Sequence, residues 1–449
     1  MSDSTPADPP ASPSPQATTS SEPHATPVSL EAPESSALRM PLDLLLAPGH
    51  GWFRALRHPE FRLFWTGNFI SNIGSWMQNV AQGWLVLQLT NSPLWLGLVG
   101  FAQQVPALVF SLLGGVIADR ASRRRLLMVT QTTMMLLAVL LAVLTHLQRI
   151  TVQQIVLIAV LAGTTTALNA PTYQSAIRDL APREDLLNAI ALNSIQFNAS
   201  RVLGPTLAGF TIAGAGIAAC FYLNALSYVP LLFVLARVRF PARAEREANS
   251  IGAEMAEGFR YVRENPTILL LVLLVGMISM FGMPYLVMMP AFAKDVLLVG
   301  ARGLGYLVAA SGVGAIIGGI NLAMLKSHHR RGPVLLGAAL TFFAAILLFC
   351  LSRQLLLSAF LLAVVGGAMV GAVATPLSLI QTLVPDQIRG RVLSMHLMAY
   401  LGFTPLGSLL VGALAERWST PVAMAFSSGF ALALTAVIAF AAPTIRRLQ

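Results

Sequence analysis

Twelve apolar segments, each of about 20 residues or more, follow one another along this chain of 449 residues. A helix of about 20 apolar residues crosses the roughly 30 Å of hydrocarbon in a bilayer. The pattern therefore predicts an all-α membrane protein with twelve transmembrane helices. The predicted spans are 61–89, 95–118, 124–147, 152–175, 187–212, 216–239, 266–290, 303–325, 332–351, 355–377, 391–414 and 421–442.

The basic residues indicate which loops face the cytoplasm. Of the 29 Lys and Arg residues, 23 lie in the termini and alternate loops, five lie in the intervening loops, and Arg201 lies within a span. Cytoplasmic loops carry an excess of Lys and Arg, so both termini are predicted to be cytoplasmic. We attribute the net charge of +10 to the orientation of the spans and to attraction to the lipid bilayer. It does not indicate nucleic-acid binding, because the basic residues do not form a patch interleaved with aromatics.

The remaining composition excludes several classes of protein. A chain with 55% hydrophobic and 11% charged residues is far from the average of soluble proteins, about 25% charged. Cys220 and Cys350 each lie in an apolar span and offer neither a disulfide framework nor a metal cluster. The sequence contains no Walker-type loop, metal-ligand spacing or nucleophile triad. We therefore expect no cofactor, no metal and no enzymatic activity.

A longer loop divides the spans into six and six, and a weak repeat supports the division. The fourth and tenth spans leave through Leu180-Ala181-Pro182 and Leu383-Val384-Pro385, and a proline follows in each next span, Pro205 and Pro405. Proline removes a backbone hydrogen bond and favours a kink. Two such halves would surround a central cavity. The predicted segments are a disordered cytoplasmic tail (1–50), a first half (51–239), a cytoplasmic linker (240–265), a second half (266–443) and a C-terminal tail (444–449).

Polar residues on the spans predict the lining of that cavity. The first span places Asn68, Asn72, Ser75 and Asn79 at steps of three and four, on one face that cannot point at lipid. Such a face lines either a cavity or a tight helix interface, and the number of large amides favours a cavity. Methionines around Tyr285 suit a bulky amphipathic ligand. The other cavity candidates are Gln103, Asn193, Gln196, Arg201, Tyr285 and Tyr400.

Arg201 is the sharpest candidate, because it lies near the middle of its span. A cation there costs several kcal/mol on insertion scales unless it faces a cavity, a partner or water. No Asp or Glu falls in the middle of any span. The available partners are a bound anionic substrate, backbone carbonyls near Pro205, or neighbouring Asn and Gln; a purely structural role at the proline remains the alternative.

The loop after the second span reads Gly115-Val-Ile-Ala-Asp119-Arg120-Ala-Ser122-Arg123-Arg124-Arg125. It resembles the signature loop of the major facilitator superfamily, G-x-x-x-D-R/K-x-G-R-R/K, with Ser122 where the family usually has glycine. The resemblance implies that the acid helps to hold the two halves together on the cytoplasmic side. Asp119 or Asp386 could also neutralise two arginines at the start of the eleventh span. The gating candidates here are Gly115, Asp119, Arg120, Arg124, Arg389 and Arg391.

The fifth span contains Gly204-Pro205-Thr-Leu-Ala-Gly209. This resembles the superfamily's antiporter motif, G-x-x-x-G-P-x-x-G-G, with Ser200 at the first glycine, and it favours efflux; Gly204 and Pro205 are the conformational candidates. Three further stretches resemble sequences of one branch of the superfamily, the bacterial transmembrane secretion effectors, which includes enterobactin exporters and macrolide efflux pumps. They are Phe61 to Gly67, Glu257 to Tyr261 and Val384 to Arg391.

The resemblance implies a monomeric transporter of the bacterial inner membrane that uses alternating access and an ion gradient, most simply of protons. Because no acid lies within a span, Asp119 and His396 are the coupling candidates. The leading hypothesis is export of a small amphipathic compound, either a drug or an anionic siderophore, with Arg201 as the anion contact in the second case. The alternatives are an uptake transporter for a small metabolite and a non-transporting sensor.

Overall fold

The computed structural model describes residues 53–120, 122–238, 240, 251–325, 331–446 and 448, together with Ser2; the side chains of residues 111–120 and 251–255 are outside the description. The predicted tail at 1–50, except Ser2, therefore lies outside the described residues. The described part is helical, without a β-strand. Its helices are α1 (Pro59–Thr90), α2 (Pro93–Arg120), α3 (Arg123–His146), α4 (Val152–Leu180), α5 (Leu186–Ala215), α6 (Ile217–Arg237), α7 (Ile251–Glu264), α8 (Pro266–Val296), α9 (Gly300–Met324), α10 (Arg331–Leu351), α11 (Leu355–Leu383), α12 (Asp386–Arg417), α13 (Thr420–Ala441) and α14 (Pro443–Arg446).

Twelve of these helices, all except α7 and α14, match the predicted spans within a few residues at most ends. Within the described residues, ten are long and apolar enough to cross a membrane. The other two, α1 and α5, have sufficient length but are more polar. Much of that polarity is buried inside the protein, since Asn68, Gln196 and Arg201 are only 6%, 1% and 5% exposed. The predicted fold class, twelve helices in two halves around a cavity, is confirmed.

Local sequence signals explain where several helices begin and end. Proline occupies the first turn of α1 and α8, where its missing N–H costs nothing. Helix α4 begins with a capping box, in which Thr151 and Gln154 each accept a hydrogen bond from the other's backbone N–H. Asn91 caps the C-terminus of helix α1 with a left-handed φ of 48°, a conformation that asparagine tolerates better than most residues.

The irregular helix is α8, rather than the two helices in which kinks are favoured. Pro205 and Pro405 lie inside the continuous helices α5 and α12. In α8, π-helical turns at Ile278–Gly282 and Phe292–Val296 flank a short α-helical stretch, Pro284–Ala291. Each π-turn closes with a hydrogen bond from a backbone N–H to the carbonyl five residues earlier, Met283 to Ile278 and Leu297 to Phe292. Because Pro284 has no N–H, it cannot make the next helical hydrogen bond, and the wider turn before it accommodates that loss.

The most extensive contacts between the two halves are those of two helix pairs, α2 with α12 and α5 with α9, and α8 also touches α1 and α2. Glycines allow these backbones to approach closely. A Cβ added to Gly412 would lie 3.0 Å from Gly97 Cα, and one added to Gly305 would lie 2.7 Å from the Pro205 carbonyl oxygen. We name the bundle end that carries the α1–α2 loop the Asn91 end, and the opposite end the Arg123 end. Charge distribution predicts that the Arg123 end is cytoplasmic.

Candidate functional site

A cavity of about 190 Å³ lies between the two halves, enclosed by α1, α2, α8 and α9. Its walls are mostly apolar, and its polar groups are three amides. The Gln103 amide donates to Asn79 Oδ1 over 3.4 Å, so two predicted cavity residues meet here. The lining residues are Trp76, Asn79, Val80, Gln82, Gly83, Leu96, Val99, Gly100, Gln103, Leu286, Val287, Met289, Pro290, Leu304 and Val308.

Two other cavity candidates belong to a hydrogen-bonded chain inside the first half. Asn68 donates to the Tyr173 hydroxyl over 2.7 Å, and Tyr173 donates to Asn193 Oδ1 over 2.6 Å. Gln196 lies near the same hydroxyl but does not reach hydrogen-bond geometry. The chain joins α1, α4 and α5. The sequence reasoning missed Tyr173, which a lone tyrosine beside Pro171 could have signalled.

The polar stripe of α1 therefore serves several neighbours. Ser75 lies 3.2 Å from the Tyr228 hydroxyl and also donates to the Ser71 carbonyl. One turn further, Gln78 accepts a 2.7 Å hydrogen bond from Asn224. These contacts hold α1 against α6 and do not line the cavity. Asn72 is half-buried. The polar stripe of α1 thus lines the cavity at Asn79 and forms a helix interface at Ser75.

Arg201 of the first half reaches into the second half. Its Nη2 lies 3.3 Å from the Tyr285 hydroxyl, 3.2 Å from Ser311 Oγ and 3.9 Å from the Met369 sulfur. Its guanidinium carbon lies 6.0 Å from the centre of the Trp76 ring, within cation–π range. The contacts are hydroxyls of the opposite half, not the carbonyls near Pro205 or the amides considered from sequence. Ser311 and Met369, in apolar helices, gave no sequence signal.

Two predicted residues of α12 lie one turn apart. Tyr400 is half-buried and lies within electrostatic range of Arg201 and Tyr285. His396 is 5% exposed, and its Nδ1 has no hydrogen-bond partner among the described residues. It lies ten residues from the start of α12, roughly 15 Å along the helix. Tyr285 and Tyr400 thus accompany Arg201, and His396 lies one turn away on α12.

The signature loop is only partly described. Gly115, Asp119 and Arg120 belong to the stretch whose side chains lie outside the described residues, so their gating role stays a prediction. In the described part of the loop, Arg123 forms an ion pair with Asp179 of α4, and Arg124 donates to the Ala236 carbonyl at the end of α6. These two arginines hold helices of the first half together.

The two arginines at the start of α12 have different acidic partners. Arg389 pairs with Asp386, one of the two acids considered from sequence. Arg391 pairs with Glu257 of α7 over 2.6 Å, and α7 packs against α12 through Gly258, where an added Cβ would lie 3.1 Å from Arg391 Cβ. The linker helix is therefore attached to the second half at the Arg123 end.

Gly204 and Pro205 lie where α5 touches both halves. A Cβ at Gly204 would lie 2.8 Å from the Ile73 carbonyl oxygen of α1, so the glycine permits close contact. The Pro205 carbonyl faces Gly305 of α9. A helix held on both sides can transmit movement from one half to the other, which is consistent with the predicted conformational role.

Polar contacts between the halves close the Asn91 end. Glu416 at the end of α12 accepts hydrogen bonds from Ser92 Oγ over 2.7 Å and from the Leu94 backbone N–H over 3.3 Å. Lys294 of α8 donates to Asn91 Oδ1 over 2.7 Å. Each bond joins one half to the other. The sequence reasoning placed no residue of this contact among the candidates.

We expect Glu416→Ala to favour opening of the Asn91 end. Hydrogen bonds to a charged acceptor contribute about 1 kcal/mol at an exposed position, a roughly fivefold shift in the equilibrium. The distance between spin labels at Leu147 and Leu356, one on each half at this end, should show a larger open population. Asp295→Ala, at an exposed acid of the same end, is the control; equal shifts in both variants would contradict a specific Glu416 contact.

Comparison with known proteins identifies the fold and the family. Residues 50–448 match the profile of the family described as Transmembrane secretion effector. This chain belongs to the transmembrane secretion effector family of the major facilitator superfamily. Relatives of this chain include the enterobactin exporter EntS of Shigella boydii serotype 18, 28% identical, and that of Escherichia coli O1:K1, 27% identical. Both alignments extend over 382 residues, 85% of this chain and 91% of the relative.

Solved structures share the architecture of this chain at low identity. The nucleoside transporter NupG, as a D323A mutant, superposes with a TM-score of 0.70 at 15% identity, over 86% of this chain and 99% of NupG. A bacterial homologue of the human lysosomal transporter Spinster, inward-facing and unoccupied, gives 0.65 at 15% identity, over 86% and 96%. These structures show the fold, while the family and its curated relatives make this chain a multi-pass membrane transporter and not an enzyme.

Proposed function

We propose that the protein is a secondary active transporter of the bacterial inner membrane that exports a small amphipathic compound by alternating access. The central observation is the cavity between the two halves, apolar except for Asn79, Gln82 and Gln103. Such a lining suits a ligand with a large apolar surface and a few polar groups. The relatives named as enterobactin exporters make a siderophore the first candidate, with a drug as the other.

The contacts between the halves support alternating access. The halves meet through exposed or partly buried polar bonds at the Asn91 end and through glycine-lined helix pairs. Bonds of this kind break at low cost, and closely packed helices can rock as rigid bodies. In our proposal the Asn91 end faces the periplasm, both termini are cytoplasmic, and the protein acts as a monomer.

A proton gradient is the proposed driving force. His396 is buried with an unpartnered ring nitrogen, and histidine exchanges protons near neutral pH in ordinary surroundings. Asp119 remains the second coupling candidate. The two can be separated because His396 lies within α12 and Asp119 lies at the end of α2.

Retention of labelled enterobactin and of a fluorescent cationic dye should be measured in cells with and without the protein. We expect lower retention of at least one compound, reversed by a protonophore. The His396→Gln and Asp119→Asn variants should be compared at equal protein levels. Increased accumulation would instead indicate uptake, and unchanged retention of both compounds would contradict export of these classes. Export that stays fully sensitive to the protonophore in both variants would exclude both coupling candidates.

A further inference from the structure

Among the described residues, no opposite charge lies beside the cation at Arg201. It is 5% exposed and lies 15 residues from the start of α5, roughly 22 Å along the helix and near its middle. Its described partners are two hydroxyls, a thioether and an indole ring. The ion pairs described above, such as Arg123–Asp179 and Arg391–Glu257, lie elsewhere. A buried cation with neutral partners is poorly compensated.

Its contacts with the second half are also easily replaced. The Tyr285 hydroxyl and Ser311 Oγ lie 2.7 Å apart and bond to each other. Both hydroxyls would therefore keep a partner if Arg201 moved away. The Nε of Arg201 is buried and has no hydrogen-bond partner among the described residues. The guanidinium thus has an unused donor and a weakly held Nη2.

Aromatic side chains surround this cation. Trp76 lies within cation–π distance of it and also lines the central cavity, so the guanidinium is one side chain away from that cavity. Tyr285 and Tyr400 lie on the side of the second half. A guanidinium binds planar anions through two parallel hydrogen bonds, and aromatic walls favour a flat ring.

We propose that the transported compound carries an aromatic anion, a carboxylate or phenolate on a ring, which binds Arg201 in place of Tyr285 and Ser311. The inference rests on the proposed transport function and specifies its substrate. Binding would replace a bond between the halves with a bond to the ligand. Occupancy of the site thereby lowers the cost of separating the halves at the level of Arg201.

Salicylate and salicylamide test the proposal, because they share a ring and a hydroxyl but differ in charge. Their affinities should be measured by titration calorimetry on the purified full-length protein in lipid nanodiscs. We expect salicylate to bind at least tenfold more tightly than the amide. Arg201→Gln should reduce that ratio to about twofold or less, and Arg201→Lys should retain part of it.

Two further variants separate ligand binding from structure. Tyr285→Phe removes a competitor for Arg201 and should raise salicylate affinity severalfold. Arg353→Gln removes a guanidinium that also donates to neutral oxygens, those of Cys350 and Ser352, and should leave the ratio unchanged. Equal binding of acid and amide, no binding of salicylate at millimolar concentration, or a ratio unchanged in Arg201→Gln would overturn the proposal.

This binding test does not depend on the direction of transport. Charge selectivity that depends on Arg201, together with no export in cells, would support the anion site and refute the proposed export. Export of a neutral or cationic compound at the same rate by wild type and Arg201→Gln would support export and refute the anion site.

Discussion

Gly97→Val should reduce transport to background while leaving a folded protein. Gly97 of α2 faces the backbone of α12 in the other half, and an added Cβ would overlap the Ser408 carbonyl oxygen. Separation of the halves at the Asn91 end relieves that overlap, so the variant should remain open there. Spin labels at Leu147 and Leu356 should report only the longer distance, and labelled substrate should not be transported.

Gly366→Val is the informative contrast, because a similar overlap occurs within one half. Its Cβ would meet the Ser311 carbonyl oxygen, between α11 and α9. No movement of one half against the other relieves this contact, so we expect a loss of more than about 3 kcal/mol of stability and little folded protein. Gly319→Val is the control, since nothing lies within 4 Å of its added Cβ. Transport by Gly97→Val, or normal folding of Gly366→Val, would contradict this distinction.

Asp179→Ala should destabilise the first half by about 3 kcal/mol. Asp179 pairs with Arg123, and their side chains are 16% and 15% exposed. Removing the carboxylate takes away the charge that Arg123 faces in this largely buried pair. Thermal unfolding of the purified protein, followed by loss of monomeric material on size exclusion, measures the effect.

The exchanged pair Arg123→Asp with Asp179→Arg should recover about half of the lost stability. Glu184→Ala, at an exposed acid in the loop that follows α4, should have little effect. If the Asp179 and Glu184 variants had the same unfolding temperature, the ion pair would not stabilise the fold.

Much of the fold could be predicted from the sequence, because hydropathy and basic loops are local signals. Most helix ends lie within a few residues of the predictions, since charged residues, prolines or glycines stand there. The irregular turns of α8 were not predicted, although Pro284 and Pro290 are visible in the sequence. A proline permits either a kink or a π-turn, and packing decides between them.

The candidate site could be predicted in its residue types but not in its pairing. Arg201 was selected because a cation within a span is expensive, and Tyr285 was selected because methionines surround it. Their contact joins residues 84 positions apart, and sequence spacing gives no information at that distance. Ser92 and Glu416, 324 positions apart, were missed for the same reason. Both pairs join the two halves, where a single sequence is least informative.

The polarity of α1 and α5 also has a consequence for biogenesis. Neither helix is among the ten that are long and apolar enough to cross a membrane on their own. Both bury amide or guanidinium groups against partners synthesised later, since Gln78 of α1 bonds Asn224 of α6 and Arg201 bonds Tyr285 of α8. We therefore expect these two helices to enter the lipid phase with help from their neighbours, and the surroundings of Arg201 to be complete only after α8 has been synthesised.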